Sequence, residues 1–597
     1  MTLVFASALA ACATAALPTT PRLQRLQSEF ERLKNEAHLL DEATMRSRLK
    51  ALRGEHINVF GGARRPHQSK IEHIVVMLVE NHSFDNMLGC MGLPGADGID
   101  PINGHSVPID PTDPSKGSVT MKCGTADYVC KGGPSYNLFE SKFPPGTSLP
   151  AKPNSNEFPY APQDDKYSYA RGLSNAVGIS AYAPSQIPVK HEVAKEFGVF
   201  NKYYCAVPSA STPNHLMIQS ATSCGITDNI IYSDCGGPTA TFPQFTIYDS
   251  LYVNNIDFRI FMNSTCGIDG HPACHGVDPN SPSAGSPIPT PDVAMSGVGR
   301  YKKYFESQKV WYDRAANGTL PALSWLLPPI EACDHPCYDI AKGERLLKDT
   351  YEALRAGPGW NKTLFFVVYD DAGDYYDHIV PPFEGVPSDD APCHVVNGDD
   401  GLNECSPKFD FRRLGLRTTA FLISPFVAKG SVFQRPKGPM NTSQFEHTSV
   451  PATLKNLFNL SGFLTKRDEW AGSFHELLLD APRADADMPM HLPTPPAAAT
   501  PWGPIPSGAP TKASRLPPGE PQHCSRAEGV CTGVEYTTVK QQKQIRDLVG
   551  LFPVTDSEEE GGVVAPDLET LNRTAADAWI RATWGRWMTL DEGYEEL

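Results

Sequence analysis

The sequence predicts an α/β protein built on a mainly parallel sheet, and three observations carry that reading. Residues 74–79 (IVVMLV) form an unbroken aliphatic run with no polar alternation, the mark of a strand covered on both faces. Residues 364–369 (LFFVVY) and 418–423 (TTAFLI) repeat the pattern. Helical periodicity separates these runs, and strands alternating with helices bring parallel pairing. Such sheets hold ligands at the carboxyl ends of their strands. The first run delivers Glu80, Asn81, His82, Ser83 and Asp85 there, and the second delivers Asp370 and Asp371.

The totals bound the answer. A chain of 597 residues exceeds one small core and predicts a large catalytic domain with appendages. A net charge of −16 argues against a nucleic-acid partner, because phosphate-backbone binding needs a positive footprint.

Residues 3–17 (LVFASALAACATAAL) are small and apolar, too short to span a bilayer, and resemble a secretory signal that lacks the usual positive n-region. The alternative is a buried N-terminal helix. Cys12 lies inside this stretch, so its removal leaves 14 of the 15 cysteines, an even number suited to disulfides in an oxidising compartment. Glycosylation sequons stand at Asn263, Asn317, Asn361, Asn441, Asn459 and Asn572, and also at Asn81. No later stretch is long and apolar enough to cross a membrane.

Residues 18–66 read as a helical extension. Leu23, Leu26, Phe30, Leu33, Ala37 and Leu40 recur at spacings of three and four, with Gly54 as the expected stop and packing on the catalytic domain as the expected fate. The catalytic domain is assigned to 67–493. From 94 to about 167, Gly, Pro, Ser and Asp dominate an insertion that Cys123 and Cys130 are expected to staple.

The stretch 191–197 is helical in pattern, 199–205 is a short strand, and Pro213 opens a helix toward Ser223. Ser211 and Thr212 then stand at its amino end, where backbone donors favour a phosphate. Thr212 is the expected N-cap, leaving Ser211 to face the site. Further strands are expected at 256–262 and 320–327, and a helix carries Ile340, Gly343, Leu347, Tyr351 and Leu354 on one face. Cys266 and Cys274 pair more naturally as a disulfide than as zinc ligands beside His271 and His275. A Pro451-opened helix closes the domain. A Pro-rich linker (494–522) and a small C-terminal region (523–597), with Cys524 and Cys531 as partners, follow.

Two buried strands ending in acidic residues suit a hard divalent cation, whose charge makes clustered carboxylates tolerable. Helix caps and solvated turns are the alternative role for such acids. A hydroxyl at a helix start beside that cation is a phosphoryl-transfer nucleophile, and Ser211 fits the position. His335 and His378 titrate near neutrality, so either can bind phosphate or protonate a leaving alkoxide.

At these residues the sequence resembles a known family. ENHSFDNMLG is similar to the ENRSFDHMLG signature of the phosphoesterase family of phospholipases C and acid phosphatases. VPSASTPNHLMIQSATS, DHPCYDIAKGERLLKDTYEALR, VVYDDAGDYYDHIVPP and FEHTSVPATLKNLFNLSGFLTKRDEWAGSF continue the resemblance in the family's order, closest to the plant-type non-specific phospholipases C.

The resemblance implies an alkaline-phosphatase-like α/β/α sandwich with a small C-terminal extension. It implies a divalent metal site at Glu80, Asn81, Asp370 and Asp371, the nucleophile Ser211, and functional histidines at 335 and 378. The implied reaction cleaves a phospholipid at a membrane surface into diacylglycerol and a phosphorylated head group through a phospho-enzyme. An acid phosphatase and a catalytically silent lipid-binding protein are the alternatives. The sequence departs from the family pattern at His82, where an Arg is expected, at Tyr338 in place of a His, and at Asp374, which adds a charge.

Overall fold

The computed structural model describes residues 21–60, 70–108, 115, 117–129, 178–209, 211–225, 244–262, 296–329, 332–336, 338–373, 375–389 and 411–498. The signal-like segment, Cys130, the 266–275 cluster, Asp374, nearly all of the linker and the C-terminal region lie outside these residues.

In chain order the strands are β1 (His73–Val79), β2 (His105–Pro108), β3 (Ser118–Cys123), β4 (Ser180–Ala181), β5 (Gly198–Phe200), β6 (Tyr203–Tyr204), β7 (Phe258–Met262), β8 (Phe305–Ser307), β9 (Leu323–Leu327), β10 (Thr363–Tyr369), β11 (Ala420–Ile423), β12 (Ser431–Phe433) and β13 (Phe445–Glu446). Eight of them form one sheet in the order β12-β5-β11-β10-β1-β9-β7-β8. Its pairings are parallel except those of β11, which runs against both β10 and β5. The mainly parallel α/β architecture is thus as expected.

Successive residues of a strand face opposite sides. Ile74, Val76 and Leu78 enter one core with Leu364, Phe366 and Val368. Val75, Met77 and Val79 enter a second core with Phe365, Val367 and Tyr369. Helix Ile340–Ala356 packs in the second core through Leu346, Leu347, Tyr351 and Leu354. The sheet is therefore sandwiched between two layers.

Several local expectations need correction. The N-terminal extension is two helices, Pro21–Glu36 and Glu42–Phe60, and Gly54 lies inside the second. Asp41 opens that helix by accepting from the Thr44 amide at 2.9 Å. An interior glycine costs only about 1 kcal/mol against alanine, while beyond it His56 is buried and Val59 and Phe60 pack against the first core. Phe30 packs there edge-on against Phe245 at 5.4 Å, so the extension is part of the core.

Cys123 is bonded to Cys90, not to Cys130, because the β2/β3 hairpin folds back beside the helix Phe84–Met87. The expected strand at 199–205 is two pieces, β5 and β6, separated where Asn201 turns its side chain to Asp97 and Gln434. The helix after it begins at Ser211 and ends at Ser220, so Thr212 sits within the first turn and is not the N-cap. Pro213 remains in that turn, where its missing donor costs nothing.

Candidate active site

The β1/β10 register fixes the site. Val79 stands opposite Tyr369, so Glu80-Asn81 and Asp370-Asp371 leave the sheet side by side. The Asp370 amide donates to the Val79 carbonyl at 3.0 Å, and the Asn81 amide donates to Asp370 Oδ1 at 3.0 Å. Asn81 has φ 62°, the left-handed region that asparagine tolerates better than most residues. Gly373, at φ 60°, lies so close that a Cβ there would sit 2.1 Å from the Asn81 carbonyl oxygen.

Helix Ser211–Ser220 brings the hydroxyl. Ser211 Oγ is 3.2 Å from Glu80 Oε2, 3.1 Å from Asn81 Oδ1 and 3.2 Å from Asp371 Oδ2. One hydroxyl has one proton, so it donates to one of these acceptors at a time. One turn further, His215 Nε2 lies 3.3 Å from Glu80 Oε1 and 3.4 Å from Asp370 Oδ2. His215 was not singled out in the sequence, although it sits four residues after Ser211 and hence on the same helix face.

The donor set fits a hard cation. Glu80, His215 and Asp370 each offer a ligand atom within 4.8 Å of the others. Glu80 and Asp370 converge on His215 Nε2, and Glu80 and Asp371 converge on Ser211 Oγ. The Asn81 amide joins the same cluster. One end of the amide faces these carboxylates, 3.0 Å from Asp370 Oδ1 and 3.1 Å from Glu80 Oε2, and its nitrogen there donates to them. A half-turn of the same amide would present its oxygen to a hard divalent cation held among the carboxylates.

The other atom of that amide stands 3.2 Å from His335 Nε2. His335 Nδ1 lies 3.0 Å from the Pro336 carbonyl, to which it donates, and Nε2 faces the site. Tyr338 borders it, ring edge to ring face at 6.2 Å. His447, also not singled out, places Nε2 against the Asp370 carbonyl oxygen. Burial pushes its pKa down to about 4, so it acts as a neutral main-chain prop.

His378 is bound to Asp85. Asp85 Oδ2 accepts from the His378 amide at 2.8 Å and from Nδ1 at 2.7 Å. Arg417, fully buried at the entry to the reversed strand β11, joins Asp85 Oδ1 at 2.9 Å to Asp377 Oδ1 at 2.8 Å. Burial alone would lower the His378 pKa, but Asp85 outweighs it and holds the imidazole above its ordinary value.

Residues 71–461 match the sequence profile of the phosphoesterase family. The chain belongs to the phosphoesterase family. This phosphoesterase is 34% identical to non-specific phospholipase C3 of Arabidopsis thaliana over 72% of its own chain and 77% of that protein. It is 34% identical to non-specific phospholipase C1 of the same plant over 74% and 78%. Non-hemolytic phospholipase C of Burkholderia pseudomallei is 24% identical over 65% of this chain and 55% of that one.

The departure at His82 lies behind the site of this phosphoesterase. His82 is buried between Asn86 Oδ1 at 2.7 Å and the Asp334 carbonyl at 2.8 Å, stacked on Tyr375 at 4.7 Å. Burial pushes its pKa down to about 4, so it is a neutral packing residue. Asn86, its partner, also differs from the signature, where a histidine follows the aspartate; the two changes are in contact.

Proposed function

We propose that this phosphoesterase is a phospholipase C acting on glycerophospholipids of the phosphatidylcholine and phosphatidylethanolamine type, with Ser211 as nucleophile. The observation that carries the reading is the Ser211 hydroxyl, held within 3.2 Å of Glu80, Asn81 and Asp371 at a helix start. Ser211 Oγ attacks the phosphorus of the diester, and its proton passes to a carboxylate it touches, Asp371 or Glu80. The bond from phosphorus to the glycerol oxygen breaks. His335, entering the step as the imidazolium with Nδ1 donating to the Pro336 carbonyl, delivers its Nε2 proton to that oxygen, and diacylglycerol leaves. Water then attacks the phosphoserine diester, releasing the phosphorylated head group and returning a proton to Ser211 Oγ.

Glu80, Asn81, Asp370, Asp371 and His215 would hold a divalent cation, which when bound lowers the hydroxyl pKa and offsets charge on phosphorus. The amides of the first helical turn favour the same charge. His378, paired with Asp85, is assigned no step.

The test is turnover of phosphatidylcholine vesicles by the intact chain beside Ser211→Ala. Diacylglycerol release by the wild type, its loss in the variant, and a phosphoryl group trapped on Ser211 support the reading. Free phosphate from p-nitrophenyl phosphate without diacylglycerol would identify a phosphomonoesterase instead. Turnover of neither, across several divalent ions, would identify a silent lipid-binding protein, and phosphate trapped on Thr212 would move the nucleophile.

Export into the lumen of the secretory route belongs to this reading. The Cys90–Cys123 bond and the exposed sequons Asn317, Asn361, Asn441 and Asn459 support it, whereas Asn81 is buried and inaccessible to a glycosyltransferase. Among the described residues no helix is long and apolar enough to cross a membrane, which suits a peripheral encounter with lipid. An endoglycosidase-sensitive mass shift of the secreted chain checks the route.

A further inference from the structure

The loop carrying His335 joins β9 to helix Ile340–Ala356, and it turns on a residue in a sparsely populated conformation. Asp334 has φ 69°, a state that a residue with a side chain keeps only where its surroundings impose it. They do so from three directions. Its carbonyl accepts from His82 Nε2 at 2.8 Å, and its carboxylate accepts from the Tyr369 hydroxyl and from Lys190 Nζ, the latter at 3.1 Å. Gly343 leaves the room: a Cβ there would lie 1.6 Å from Asp334 Oδ1. One residue earlier, the Cys333 carbonyl accepts from the Glu80 amide at 2.7 Å, which ties the loop to the exit of β1.

Lys190 is the unusual member. It lies in the first turn of helix Pro188–Glu196 and is only 2% exposed. Lysine is almost never buried so deeply unless paired. Its ammonium bridges Asp334 and Glu344, the latter at 3.2 Å. Glu344 also accepts from the Val189 and Lys190 amides, at 2.6 and 3.0 Å. Burial by itself would lower the Lys190 pKa, but the two carboxylates outweigh it and keep the charge in place. A neutral His82 brings no charge to Asp334, and Lys190 supplies the opposing one.

We infer that Lys190 is a positioning residue for the phosphoryl-transfer reaction. Acting through the Asp334 carboxylate, it fixes the backbone turn that sets His335 Nε2 against Asn81. This rests on the reading of His335 as the proton donor to the departing oxygen.

A double-mutant cycle of Lys190→Met and His335→Ala in the full chain tests it, with kcat and KM measured on phosphatidylcholine vesicles and the melting temperature recorded for each variant. Lys190→Met is expected to lower kcat by about 10- to 100-fold with KM within about twofold, the scale of a misplaced catalytic group. In the His335→Ala background the same substitution is expected to cost nothing further, because its effect passes through the missing imidazole. Equal losses in both backgrounds, or an unchanged kcat in the single variant, would overturn the inference and leave the function standing. Wild-type turnover by His335→Ala would overturn the reading of His335 and this inference together. Where Lys190→Met does not fold, Lys190→Met with Glu344→Gln removes one charge of each sign, and the same outcomes decide.

Discussion

Ser211 and His215 engage the two oxygens of a single carboxylate: the hydroxyl lies 3.2 Å from Glu80 Oε2 and the imidazole Nε2 3.3 Å from Glu80 Oε1. Both side chains project from one face of the same helix, one turn apart. The proposed nucleophile and one proposed metal ligand therefore share a rigid element. A shift of the helix moves both, and their spacing does not depend on a loop.

His215→Ala removes the only nitrogen from the proposed donor set and leaves Ser211 in place. Affinity for a divalent ion, measured by calorimetry on the metal-stripped protein, is expected to fall about 10- to 100-fold. Unchanged affinity would exclude His215 from the metal site.

Gly373→Ala strains a backbone at φ 60° and drives a methyl group into the Asn81 carbonyl. Asn81 must shift, and its side-chain amide shifts with it. Turnover is expected to drop by about 100-fold, while far-UV circular dichroism remains that of the wild type. Full activity would show that the loop after Asp371 can move without disturbing the ligands.

The contrast between what the sequence exposes and what it hides follows from distance along the chain. The runs at 74–79 and 364–369 are legible because burial on both faces writes itself into consecutive residues, and Glu80-Asn81 and Asp370-Asp371 are legible because they follow directly. The register that sets them side by side is not, since it is a relation across 290 or so positions. His447 and Lys190 carry no local signal. One supports a main-chain carbonyl, and the other looks like any lysine of an amphipathic helix until Asp334 and Glu344 are placed against it. The Cys90–Cys123 pairing is hidden because spacing does not determine connectivity. Gly54 misleads in the opposite direction: a local stop signal is overridden by the packing of His56, Val59 and Phe60 beyond it.

The N-terminal helices pack in the first core, and they are expected to act on stability rather than on turnover. Phe30 is fully buried against Phe245 in the core beneath the sheet. Phe30→Ala is expected to destabilise the protein by about 3–5 kcal/mol in chemical denaturation. The kcat of the folded fraction should stay at the wild-type value. A loss of kcat at full folding would mean that these helices reach the site.

His378 supplies a pH-dependent contribution whose sign is fixed by its surroundings. Asp85, Asp377, Arg417 and His105 face it. Burial alone would depress its pKa, yet Asp85 raises it above the ordinary 6.5. The folded state therefore binds this proton more tightly than the unfolded one, and stability from the pair is fully present below the unfolded pKa and lost as pH rises through the folded value. Asp85→Asn removes the opposing charge and leaves burial to act alone. The His378 imidazole, followed by NMR in histidine-labelled protein, is then expected to titrate below 6.5 rather than above it. The destabilisation caused by Asp85→Asn should be larger at about pH 6 than above the folded pKa. An imidazole that titrates identically in both proteins would assign the shift to Asp377 instead, the other carboxylate bound to Arg417.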